Sequence, residues 1–129
     1  MLNQTGVKIV SGTTRKIILV DEKNSTAVSI KVANTGISAD SNGKKIAKAG
    51  TPLSGDLTAR GTAFVVASTT SGVSNATCVL LHDVDVTDGT KNAQAIIFGT
   101  IDLNKLETSV QSLITTEAKA ALKMVQFIK

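Results

Sequence analysis

The chain has 129 residues, a net charge of +4 and a hydrophobic fraction of 42%, with aromatic residues making up only 2%. That length suits one domain with a modest core, and the single cysteine, Cys78, excludes an internal disulfide framework. No apolar stretch reaches the ~20 residues of a membrane helix, and no basic segment leading into an apolar run opens the sequence, so no membrane span or secretion signal is expected.

Residues 1–15 carry no firm pattern; Val7, Ile9 and Val10 suit either a short strand or an arm that orders on a partner. Lys16 to Val20 reads as a strand. Asp21 to Thr26 is turn-like, and Ala27 to Ala33 alternates, with Val28, Ile30 and Val32 on one face. The two strands are expected to pair as a hairpin with a longish loop. Asn42-Gly43 predicts a tight type I′ hairpin joining 37–39 to 45–47, because both central residues of such a turn need positive φ. Ala49 to Leu53 is a further turn around the only proline, Pro52. Gly61 to Ala67 reads as an apolar strand and Ser68 to Asn75 as a flexible loop.

Ala76 to Val86 and Ala95 to Ile101 have apolar residues on both faces, which predicts strands buried on both sides in a barrel, a compact sandwich or an oligomer core. Gly99 suggests a bulge or a close backbone approach. Glu107 to Ile114 suits either a helical turn or a loop. Thr115 is a capping residue ahead of strong helix formers, predicting a helix near 116–123. Val125 to Ile128 alternates as a last short strand. The expected fold is mainly β with one short C-terminal helix, a small barrel-like or compact domain over residues 16–129 preceded by an arm at 1–15.

The charge is uneven. Residues 1–60 hold nine Lys/Arg against four Asp/Glu, and residues 61–129 hold five against six. A basic half reads as a solvated face or as a surface for an acidic partner. Nucleic acid is a poor candidate for that partner, since there is no Trp or Tyr to stack bases and no helix-turn-helix, zinc-finger or RNA-binding pattern.

Chemistry-bearing residues cluster between His82 and Asp88. Aligned to a calcium loop, Asp83 and Asp85 take the first and third positions, but the required glycine falls on Asp88 and the distal glutamate on Gln94. Turn shaping by Asp and Gly is the better reading. His82 is the only histidine. On a strand it lies ~13 Å from Cys78, too far for a Cys–His nucleophile pair, so Cys78 reads as a small core residue. No nucleophile elbow, Walker A or dinucleotide glycine motif is present. Neither catalysis, a metal nor a cofactor is expected.

Three stretches carry a family resemblance. Asn42 to Leu53 (NGKKIAKAGTPL) resembles a hairpin and Gly-Thr-Pro turn common in head decoration and head-fibre proteins of tailed bacteriophages. Cys78 to Gly89 (CVLLHDVDVTDG) followed by Ala93 to Gly99 (AQAIIFG) is similar to that family's aspartate-rich turn and apolar strand. Ile101 to Leu106, the terminal helix and Val125 to Ile128 complete the match. The resemblance implies a β-tulip-like structural protein on the outside of the assembled virion capsid, made in the host bacterial cytoplasm. It further implies the major capsid protein as partner, a homotrimer over threefold positions, and no enzyme activity. It makes Val7, Lys8, Ile9, Val10, Arg15 and Lys16 the candidate capsid contacts. The alternative is a head-fibre base or surface module contacting host glycans.

Overall fold

A computed structural model describes residues 17–129. The chain is mainly β: strands β1 (Thr26–Val32), β2 (Ile46–Ala47), β3 (Pro52–Ser54), β4 (Val65–Val66), β5 (Thr69–Thr70), β6 (Val73–Ser74), β7 (Cys78–Leu80), β8 (Val84–Asp85), β9 (Lys91–Asp102) and β10 (Val125–Ile128). Two short helices, α1 (Thr108–Gln111) and α2 (Thr116–Ala121), sit between β9 and β10. Thr115 caps α2 as its sequence predicts, its hydroxyl accepting the Ala118 N–H at 3.1 Å. The open reading of 107–114 resolves into the single turn of α1.

β9 organises the molecule, because its 12 residues are long enough to be paired on both edges. Ala95 and Ile96 face β1 on one edge and β7 on the other, both antiparallel. Further along, Ile101 meets Leu19 on one side and Phe127 of the parallel strand β10 on the other. From β7 the sheet continues through β3 to β4. Phe64, just before β4, then returns to β1. Its N–H donates to the Lys31 carbonyl at 2.7 Å, and its own carbonyl accepts the Ala33 N–H at 2.9 Å. The two ends of the curled sheet thus touch at the Val32–Phe64 bridge.

Two apolar clusters lie on opposite faces of this sheet. Inside the curl, Ile30, Val32, Leu53, Phe64, Cys78, Leu80, Val86 and Ala95 pack together. Outside it, Val79, Ile96, Ile101 and Val125 are covered by Ile18, Leu106, Val110, Ile114 and Leu122. The double apolarity of Cys78–Val79–Leu80 and Ala95–Ile96 follows from this arrangement, since alternate side chains feed alternate clusters. A register shift between Ile96 and Phe98 and the positive φ of Gly99 (149°) mark the bulge expected there. Gly99 is also crowded, as a Cβ there would lie 3.1 Å from that of Ser25.

Two expected pairings, one expected loop and the length of one strand are corrected. Ile18–Val20 and β1 do not form a hairpin with each other. The 3₁₀ turn at Glu22–Asn24 passes the chain from one stretch of β9 to the next, so both segments pair with β9. Asn42-Gly43 does turn the chain, but only Gly43 has positive φ (76°). Asp40 holds that turn by accepting the N–H groups of Asn42 and Lys44, and Ile46–Ala47 pairs with β8 rather than with 37–39. Residues 68–75 are not a loop: β5 and β6 form a small hairpin around Ser71 and Gly72, both at positive φ (52° and 77°), which is type I′ geometry. The expected strand at 61–67 shortens to β4 plus the Phe64 bridge.

Candidate interaction surface

The acidic stretch is structural in detail. The Asp83 carboxylate accepts the Ala49 N–H at 2.7 Å, tying β8 to the turn before β3. The Asp85 carboxylate accepts the hydroxyl and the N–H of Thr87, and these two bonds hold it below the usual carboxylate range, helped by Lys44 at 3.9 Å. The same Thr87 oxygen accepts the Lys45 N–H at 2.8 Å, so one hydroxyl joins both sides of the β2–β8 pair. Among the described residues, no three His, Cys, Asp or Glu side chains converge on a metal-sized space. Cys78 is fully buried in the inner cluster, as expected of a small core residue, and burial pushes its thiol up to about 11. His82 is half-buried and lines a shallow depression with Asp83, Asp85 and Lys91.

The capsid-contact candidates Val7, Lys8, Ile9, Val10, Arg15 and Lys16 all lie outside the described residues. The basic residues that are described spread over several surfaces. Lys48 pairs with Glu107 at 2.7 Å, a bond that raises its pKa, and Lys44 faces Asp85. Lys31 and Arg60 border a depression of about 420 Å³ on the outer face of β1 and β9, together with Ser29, Asn92 and Gln94. The Arg60 guanidinium is anchored there by donating to the Ser29 carbonyl at 2.9 Å.

The exposed faces on the two halves of β9 differ in character. Over the first half, the solvent-facing side chains are Ser29, Lys31, Asn92 and Gln94, as for an ordinary wet sheet face. Past the bulge the pattern reverses. Leu19, Ile101 and Phe127 point into the outer cluster, so alternation places Val20, Phe98, Thr100, Gln126 and Ile128 on the reverse face, with Met124 just ahead of the strand. Four of these are large, apolar and substantially exposed: Val20 at 53%, Phe98 at 43%, Met124 at 61% and Ile128 at 45%. They make an apolar strip on one face of three neighbouring segments, crossed by the polar Thr100–Gln126 pair that separates Ile128 from Phe98 and Met124. Single exposed apolar residues are common on proteins, but several adjoining ones mark a contact surface.

The strip ends at an open sheet edge. β10 stands last in the strand order and, among the described residues, pairs with β9 alone. The Gly99 N–H donates to the Met124 carbonyl, so residues 124, 126 and 128 aim their backbone groups at β9. In a parallel ladder the alternate residues, Val125 and Phe127, then direct theirs to the other side, where the Val125 N–H donates to the Leu122 carbonyl at 3.2 Å. Sequence reading finds β10 but misses this strip. The bulge between Ile96 and Phe98 inverts which side chains face out, and nothing in the local pattern says where the curl ends.

The sequence matches no protein-family model and no curated protein.

Proposed function

We propose that this chain is a structural virion protein that binds the outer surface of an assembled phage capsid and stabilises it. The resemblance of residues 42–53, 78–99 and 101–128 to head decoration proteins supports this reading. So does the apolar strip of Val20, Phe98, Met124 and Ile128, the single observation that carries it: a domain with two filled cores still presents apolar surface to a partner. Binding at many equivalent lattice sites adds free energy to the assembled state alone, and so reinforces the shell by mass action. In this reading the major capsid protein is the partner and the protein acts as a homotrimer on the capsid exterior. Val7, Lys8, Ile9, Val10, Arg15 and Lys16 supply further contacts, and no catalytic step is assigned.

Co-sedimentation with undecorated, expanded heads tests the proposal. The intact chain is expected to pellet with the heads and raise their temperature of disruption. The Lys8→Glu, Arg15→Glu double variant is expected to bind several-fold more weakly, as loss of two interface charges does. Absence of the wild-type chain from the pellet would sink the reading. The polar depression of Ser29, Lys31, Arg60, Asn92 and Gln94 favours a second reading, a surface module contacting host glycans, since its amide and guanidinium donors suit hydroxyl-rich ligands. A clean glycan-array hit without head binding selects it.

A further inference from the structure

We infer that the open edge of β10, together with Phe98, Met124 and Ile128, receives an extended segment of a partner chain whose apolar centre is flanked by acidic residues. This deepens the capsid-binding proposal and rests on it for the partner's identity, the segment then belonging to the coat protein.

Geometry supplies the mode. The Val125 N–H is taken by the Leu122 carbonyl at 3.2 Å, so the edge offers the Val125 carbonyl and both backbone groups of Phe127 to a further strand ~4.8 Å away, and main-chain hydrogen bonds there give affinity independent of side chains. The reverse-face side chains Phe98, Met124 and Ile128 add an apolar floor to that edge, so an alternating segment buries its apolar residues on them. Charge supplies the partner's chemistry. Lys123 and Lys129 bracket β10, both exposed, and between Ala118 and Lys129 there are three lysines and no acid. The acid beside the strip is Asp102, opposite Ile128 in the ladder, and its carboxylate is engaged by the Asn104 N–H at 2.9 Å; Asp21 and Glu22 follow Val20 on the far edge of β9.

The same charges disfavour a second copy as occupant. Two β10 strands related by a twofold axis would set Lys123 of one against Lys129 of the other, and like charges directly opposite across strands are destabilising. Edge lysines of this kind block self-pairing while leaving the edge open to an acidic strand.

The test uses the full chain, labelled for amide NMR, titrated with the peptide Glu-Thr-Val-Ile-Val-Thr-Glu and with its twin carrying lysine at both ends. The acidic peptide is expected to shift the amides of Val125 to Ile128. The lysine twin is expected to bind about fivefold more weakly, since two cross-strand charge pairs change from attractive to repulsive. The Met124→Asp, Ile128→Asp double variant should abolish the shifts. If it unfolds, the Lys123→Glu, Lys129→Glu variant, at two exposed positions, serves instead and is expected to invert the preference between the peptides. No shifts at β10 with either peptide, or an equal response to both, overturns the inference. On heads, the same variants should lose retention about tenfold, as at a central contact, while Lys31→Glu with Arg60→Glu retains it. Peptide shifts at β10 without head binding by the wild-type chain leave this surface standing and remove the capsid reading. Head binding unaffected by the β10 variants does the reverse.

Discussion

Cys78 belongs to the inner cluster, where it is fully buried and the Thr77 hydroxyl lies 4.0 Å from its sulfur. Desolvation disfavours the thiolate and raises the pKa from 9.0 to about 11, against a weaker downward pull from Thr77. The folded protein therefore keeps this proton where the unfolded chain has begun to lose it. The stabilisation is fully present below pH 9 and is lost as pH rises through 11, amounting to about 3 kcal/mol at 1.36 kcal/mol per pKa unit. Urea unfolding of the wild-type chain should weaken over that window, while Cys78→Ala shows a flatter profile; identical slopes would remove the explanation. The buried role of Cys78 was legible in the sequence, because an apolar run on both faces of a strand leaves a lone thiol nowhere else to go. The roles of Asp83 and Asp85 were only half legible. Spacing identified turn shaping, but which N–H each carboxylate accepts depends on Ala49, far away in the chain, and on Thr87.

At the level of elements, β1, β7, β9, β10 and α2 could be read because each has a local signature: alternation, double apolarity or a cap. Their partners could not. A hairpin is the default for neighbouring strands, yet Ile18–Val20 and β1 both choose β9, which is longer than either and offers the larger burial. The Gly-Thr-Pro turn shows how tightly such elements are held. Gly50 has φ of 93°, and a Cβ there would lie 2.4 Å from the Leu106 Cδ2. Gly43 shares the left-handed conformation, at 76°, but faces open space. Gly43→Ala should therefore cost about 1 kcal/mol from backbone strain alone, and Gly50→Ala about 2–4 kcal/mol once the clash with Leu106 is added. Denaturant midpoints of the two variants separate the contributions, and equal midpoints would show that Leu106 yields freely.

For the molecule as a whole, Phe64 is the point at which the two ends of the sheet touch. It is fully buried, its backbone bridges β1, and its ring sits against Gly55, where a Cβ would come within 2.5 Å. Phe64→Ala is expected to cost about 3–5 kcal/mol, the range for a large buried aromatic. That is a large share of a small domain's total stability, so thermal unfolding should lose its sharp cooperative transition. Phe64→Leu, which keeps most of the volume, should retain it. Retention of a sharp transition by Phe64→Ala would mean that the curl is held elsewhere. The expectation of a barrel-like β domain came from strands too apolar to leave a face in water. The device that draws the ends together, one bridge between residues 32 positions apart, has no sequence signature.

The placement of β9 also governs the order in which this chain acquires structure. Its partners come from positions 18–32, 79–80 and 125–128, so its ladder is assembled from segments that emerge at very different times during synthesis. Such non-local pairing is slow, on the order of milliseconds to seconds. A nascent chain that has not yet delivered Val125 to Ile128 holds Gly99 to Asp102 with one edge bare, and productive folding awaits the emergence of that strand from the ribosome.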